Sequence, residues 1–256
     1  MFRKLRILLL LFVLATVAVG AWRARVTASE WQRSLIVGIY PVNGDGSTVS
    51  NDYLARLDQS RFKPIEEYFA AQARAYGVQE LRPVMITLAR PLAAPPPLPP
   101  HDGNALAAIA WSLQMRYWAW RNDEIPGPRP DIRIFVLFHD PQAHAALGHS
   151  VGLEKGMIGL VNAFASRAED GGNTVVIAHE LLHTLGASDK YDPSTLQPHF
   201  PSGYADPHQA PVLPQRRAEI MAGRIAISTT EAEIPRSLAA TMVGPGTAAE
   251  IGWRDN

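Results

Sequence analysis

The sequence predicts an α/β (α+β) fold, a mostly parallel twisted sheet with backing helices followed by an irregular C-terminal part. Three observations carry that expectation. Runs with the β-branched content of buried strands alternate with segments of helical period, the last long helical segment follows two strands in succession, and Pro, His, Gln and Gly crowd the chain beyond Asp192. Alternation of strands and helices favours parallel pairing, and a late hairpin can add an antiparallel edge.

Arg3, Lys4 and Arg6 precede an apolar run from Ile7 to about Trp22, which reads as an address and not as part of the fold. The basic end stays in the cytoplasm and the remainder faces the periplasm. Two outcomes stay open for residues 1–30: an inner-membrane anchor, or a signal cleaved near Val19-Gly20-Ala21, leaving a secreted or periplasmic protein. Residues 31–256 then form one unit of catalytic size, divided into 31–186 and 187–256.

Within that unit, Ser34 to Tyr40 reads as a first strand closed by the turn-rich Pro41 to Gly46, and Lys63 to Tyr76 as a helix stopped by Gly77. Pro83 to Leu88 returns to strand character. Pro91 to Pro100 is too stiff and donor-poor for regular structure and serves as a surface connection. A helix over Asn104 to Arg121 leads to the strand Ile132 to Phe138. A Gly-rich turn from Gly148 to Gly156 leads to another strand, Met157 to Phe164. Asn173 to Gly186 opens on a capping residue, closes on glycine and reads as one short helix. Past it, Ser228 with Glu231 has the spacing of a helix cap.

Composition narrows the function. Formal net charge is zero, so the long-range field of a nucleic-acid binder is missing. The absence of cysteine excludes disulfides, thiolate zinc sites, a cysteine nucleophile and an inhibitory segment that works through a cysteine. Any metal must be held by His, Asp or Glu. A nucleotide-binding α/β domain would need a Gly-rich phosphate loop between strand and helix, and none is present.

The chemistry concentrates in His179-Glu180-Leu181-Leu182-His183. Four residues apart on a helix, both imidazoles share one face and can meet one metal ion, while Glu180 can reach a water on that ion without being a ligand. Burying these groups without partners would cost on the order of 2–7 kcal/mol each in the harsher reference states. Gly186 lets the chain turn out of the helix so that Asp189 can supply a third ligand. Two histidines, a carboxylate and an open position are the ligand set of a catalytic zinc. Glu219, Asp192, His199 and His208 remain open as alternative third ligands, with Glu219 ranked second. Tyr191 and Tyr204 are candidate oxyanion donors.

The run His179-Glu180-x-x-His183-x-x-Gly186-x-x-Asp189 resembles the metzincin metallopeptidase signature in its snapalysin-like form, with aspartate as third ligand. The resemblance implies a methionine turn beneath the metal, for which Met221 in Glu219-Ile220-Met221-Ala222-Gly223 is the match. It implies a metzincin-like fold and a zinc-dependent endopeptidase acting on a peptide or protein, with Glu180 as general base and acid. Gly223 stands where several metzincins place a tyrosine, so that tyrosine's role does not transfer. The competing expectation is a non-catalytic envelope binding or assembly protein in which zinc is a structural clip. Two further features are kept: a second metal at His139, His144 and His149, against a solvated loop, and calcium at Asp45 and Asp52, against turn chemistry alone.

Overall fold

The computed structural model describes residues 30–100, 105–148, 150–153 and 157–254. Residues 1–29, on which the expected signal or anchor falls, and His149 lie outside the described residues, among which no helix is long and apolar enough to cross a membrane. The elements in chain order are β1 (Leu35–Asn43), α1 (Thr48–Ala55), α2 (Lys63–Ala75), β2 (Val84–Leu88), α3 (Ala105–Arg121), β3 (Ile132–His139), β4 (Val151–Leu153), β5 (Ile158–Phe164) and α4 (Asp170–Thr184). Beyond α4 the described residues form the two-residue strands β6 (Ala218–Glu219), β7 (Ile225–Ala226), β8 (Ala232–Glu233) and β9 (Thr241–Met242), the single 3-10 turns Ile220–Ala222 and Leu238–Ala240, and the short helix α5 (Pro245–Glu250).

The main sheet runs β2-β1-β3-β5-β4, parallel throughout except for β4, which pairs antiparallel with β5 at the edge. The period-2 pattern of each strand divides its apolar side chains between two cores. From β3, Ile132, Ile134, Val136 and Phe138 face the larger core, which contains Ile65 and Phe69 of α2 and Ile177, Leu181 and Leu182 of α4. Phe135 and Leu137 face the other, where Trp111, Met115 and Ala119 of α3 cover the sheet. A sheet covered on both faces needs near-continuous apolar strands, which is why these runs do not alternate with polar residues. On its outer side α3 carries Ile109, Leu113, Tyr117 and Trp120, all exposed.

The structure departs from the sequence reading at four places. β1 continues through Pro41 to Asn43 instead of stopping at Tyr40. The Pro41 carbonyl, and with it the donor-less nitrogen, faces the side where β2 has ended and where Leu92 bonds back, so the β1–β3 ladder loses nothing. The polar stretch after the turn forms α1, started by the Ser47 hydroxyl accepting from the Ser50 amide at 3.0 Å. Ser228 starts no helix. Its hydroxyl accepts from the Thr230 and Glu231 amides in the turn that joins β7 to β8.

α4 begins at Asp170, a turn ahead of the Asn173 cap read from the sequence. Asp170 accepts from Tyr53 at 2.6 Å and pairs with Arg61, a favourable place for a carboxylate beside the helix N-terminus. Buried Asn173 instead staples the helix to β5, accepting from the Phe164 amide at 2.9 Å and donating to its carbonyl at 2.8 Å. Asn173→Ala should therefore lower stability by about 1–3 kcal/mol, since two backbone groups lose their partners at once. Denaturant unfolding of the two proteins checks this, and an unchanged midpoint would contradict the assignment.

Candidate metal centre

The helix α4 ends in the hydrogen-bond pattern of a glycine-terminated cap. Gly186 adopts φ 100°, its amide donates to the His183 carbonyl at 3.1 Å and the Ala187 amide donates to the Leu182 carbonyl at 3.0 Å. A side chain at position 186 would strain that conformation. The chain consequently reverses within three residues, which brings Asp189 back over the face that carries His179 and His183.

The two imidazoles are held by backbone carbonyls on their far sides. His179 Nδ1 lies 2.9 Å from the Ile220 carbonyl and His183 Nδ1 lies 2.8 Å from the Ala187 carbonyl. A carbonyl oxygen only accepts, so each Nδ1 must carry the proton and each neutral ring presents a bare lone pair at Nε2. Those two Nε2 atoms stand 3.0 Å apart. Asp189 Oδ1 stands 3.3 Å from the first and 3.2 Å from the second. Three acceptors thus converge with no donor of their own, and a cation must sit among them, either a shared proton or a metal ion. Tetrahedral bonds of about 2.0–2.1 Å place ligand atoms about 3.3 Å apart, so the three separations suit one divalent ion. The imidazoles are largely covered while the Asp189 side chain is 43% exposed, which leaves the fourth direction to solvent.

Electrostatics agree with the geometry. Burial would raise the Asp189 pKa, but the two histidines outweigh it and hold the carboxyl well below the usual carboxylate range. Burial would lower that of His183, yet Asp189, Glu180 and the Ala187 carbonyl together raise it. Proton and metal ion therefore compete for the same lone pairs.

Glu180 points to the same place from the buried side. Its ligand atom lies within 4.8 Å of those of His179 and His183, and its Oε2 is buried without a hydrogen-bond partner. Burial raises its pKa, opposed by the two imidazoles. An orphaned carboxylate oxygen facing a cation site has a natural partner in a water bound to that ion. Gly152 of β4 permits the close fit here: a Cβ at this position would come within 2.5 Å of the His183 Cβ and 2.9 Å of the Glu180 carbonyl. The edge strand therefore lies directly against the helix at the site.

A protein-family scan finds no model that matches this chain, and a search of curated proteins finds no match either. The side chains of the site carry the functional argument.

The other sequence-derived candidates are placed as follows. Glu219 is not a ligand. It is fully buried, and its oxygens accept from the Gly244 amide, the Thr247 hydroxyl and the Met221 and Ala222 amides at 2.7–3.1 Å. Asp192 caps Ser194 and Thr195 through Oδ1, while His199 and His208 are exposed in the tail. Met221 is buried in the larger core, in the turn whose Ile220 carbonyl holds His179 and whose own carbonyl accepts from the Lys190 amide at 2.9 Å. Burial raises the Tyr191 pKa and so do Asp189 and Glu180, which puts this phenol in the field of the site. Tyr204 instead packs edge-on against Phe200 at 5.3 Å.

Lys190 and Glu250 escaped sequence reading. The buried Lys190 ammonium reaches both Glu250 oxygens at 2.7 and 2.8 Å and the Ser188 carbonyl at 2.9 Å, while the Ser188 amide and hydroxyl also bond to Glu250. Asp189 sits between the two anchored residues. Asp189→Asn should preserve the fold and reduce divalent-metal affinity by more than about 100-fold, beyond what is usual for losing a residue behind a ligand. Equilibrium dialysis against buffered zinc measures it, and wild-type affinity in the variant would remove Asp189 from the ligand set.

Proposed function

We propose that this chain is a zinc-dependent endopeptidase whose zinc is held by His179, His183 and Asp189, with a metzincin-like arrangement of the catalytic domain. The observation that carries the reading is the convergence of three metal-ligating atoms beside a buried carboxylate whose Oε2 has no protein hydrogen-bond partner. Imidazole and carboxylate ligands with an open position suit zinc in its catalytic form. When bound, zinc would polarise a scissile carbonyl and bring the pKa of a water toward about 7.

The chain's own residues do the remainder. Glu180 takes the proton from the attacking water at its orphaned oxygen and passes it to the leaving amine, and its burial suits it to both roles. The Nδ1 bonds of His179 and His183 fix the rings so that neither rotates as charge develops. Of the two tyrosines, Tyr191, whose phenol feels the charges of Asp189 and Glu180, is our candidate donor to the developing oxyanion. β4 is the edge strand and touches the helix at Gly152, so an extended peptide pairing with that edge would lie beside Glu180. The basic and apolar start of the chain supports work at or beyond the inner membrane.

A structural zinc clip would need the three ligands and would not need Glu180. With the purified full chain and a denatured protein as substrate, Glu180→Gln should retain one zinc at this centre and lose about 100- to 10,000-fold in cleavage rate, the usual contribution of a positioned general base. Cleavage at the wild-type rate by the variant, or no hydrolysis by zinc-loaded wild type over a broad peptide library, would overturn the reading.

A further inference from the structure

Two motifs that looked unrelated in the sequence meet at the far end of the sheet. Asp45 follows β1, while His139 ends β3 and His144 lies in the loop beyond it. Their ligand atoms all lie within 4.8 Å of one another. Asp52, the other acidic residue of the first turn region, is exposed on α1 and takes no part.

The hydrogen bonds decide what the cluster presents. Asn162 of β5 donates its amide to the Gly148 carbonyl at 3.3 Å, which fixes its Oδ1 as an acceptor facing His139 Nε2 at 2.9 Å. His139 must then donate from Nε2, so its Nδ1 carries the bare lone pair. A ligand imidazole whose other nitrogen is anchored in this way is the usual second layer of a metal site. The ring is pinned from behind, since a Cβ on Gly44 would fall 2.6 Å from its Cε1. Asp45 Oδ1 accepts from the Ser47 amide at 2.9 Å and Oδ2 from the Asp140 amide at 2.6 Å, so the carboxylate is held by one backbone donor on each oxygen and keeps a second lone pair on Oδ2, which His144 Nε2 approaches at 3.7 Å. The rings of His139 and His144 meet edge to face with centroids 5.4 Å apart. Asp45 is nearly covered and His144 is 41% exposed, so one ligand is free to adjust while two are held.

We propose that Asp45, His139 and His144 form a second divalent-cation site, distinct from the centre on α4. Two imidazoles and one carboxylate select a borderline first-row ion such as zinc over calcium or magnesium, which prefer oxygen. The wider spacing relative to the first centre implies weaker binding. An ion here ties the turn after β1 to the loop that leads from β3 into β4, the strand that packs on His183 through Gly152. Its role is to fix that loop, and it does not depend on the chain being a peptidase.

The test is zinc stoichiometry of the full chain in detergent after dialysis against buffered zinc, with circular dichroism as a control of folding. Wild type should take up two equivalents, His144→Ala one, Asp189→Asn one, and the double variant none. Zinc should protect the loop of residues 140–148 from proteolysis in wild type and in Asp189→Asn, and fail to do so in His144→Ala. A folded wild type whose stoichiometry His144→Ala leaves unchanged overturns the second site. Loss of hydrolysis with both equivalents retained would instead count against the peptidase reading alone.

Discussion

The constraint on which the site depends is the locked tautomer of two histidines. Backbone carbonyls of Ile220 and Ala187 occupy both Nδ1 protons, so the two Nε2 lone pairs and the Asp189 carboxylate are forced to face one another at 3.0–3.3 Å. Mutually facing acceptors repel in a partly buried place where charge is poorly screened. Only a cation among them makes the arrangement favourable. The low-pKa carboxylate and the orphaned oxygen of Glu180 follow from the same convergence.

Much of the C-terminal part serves to hold that geometry. Glu219, buried on all sides, gathers the Met221 turn and the start of α5 with four hydrogen bonds, and the Met221 turn in turn presents the Ile220 carbonyl to His179. Lys190 and Glu250 clamp the backbone on either side of Asp189. This explains how a region with almost no regular structure can position Asp189: polar side chains satisfy its backbone where a sheet or helix would otherwise do so. The arrangement costs burial of charge, which is tolerable because each buried charge has several partners.

The sheet and its long helices were legible because their apolar periods are long and uninterrupted, as in Ile132 to Phe138 and Lys63 to Tyr76. Helix α1 was not, since only Ser50 and Leu54 of its eight residues are buried and its sequence reads as a polar continuation of the turn. The site divided in the same manner. His179, Glu180, His183 and the turn at Gly186 follow from local spacing, and Asp189 follows from the glycine. The true use of Glu219 depends on Gly244 and Thr247, and the clamp of Lys190 on Glu250, both contacts between segments distant in sequence that no local pattern encodes. Asp45 and His139 were each noticed, but only the pairing of β1 with β3 brings them together.

The most direct test of the central claim is X-ray absorption at the metal edge of the zinc-loaded His144→Ala variant, in which the first centre alone is filled. Four light-atom ligands at about 2.0–2.2 Å with multiple scattering from two imidazoles are expected, the pattern of two histidines, one carboxylate and one solvent oxygen. An all-oxygen shell without imidazole scattering, or a folded protein that retains no metal, would contradict the convergence described here.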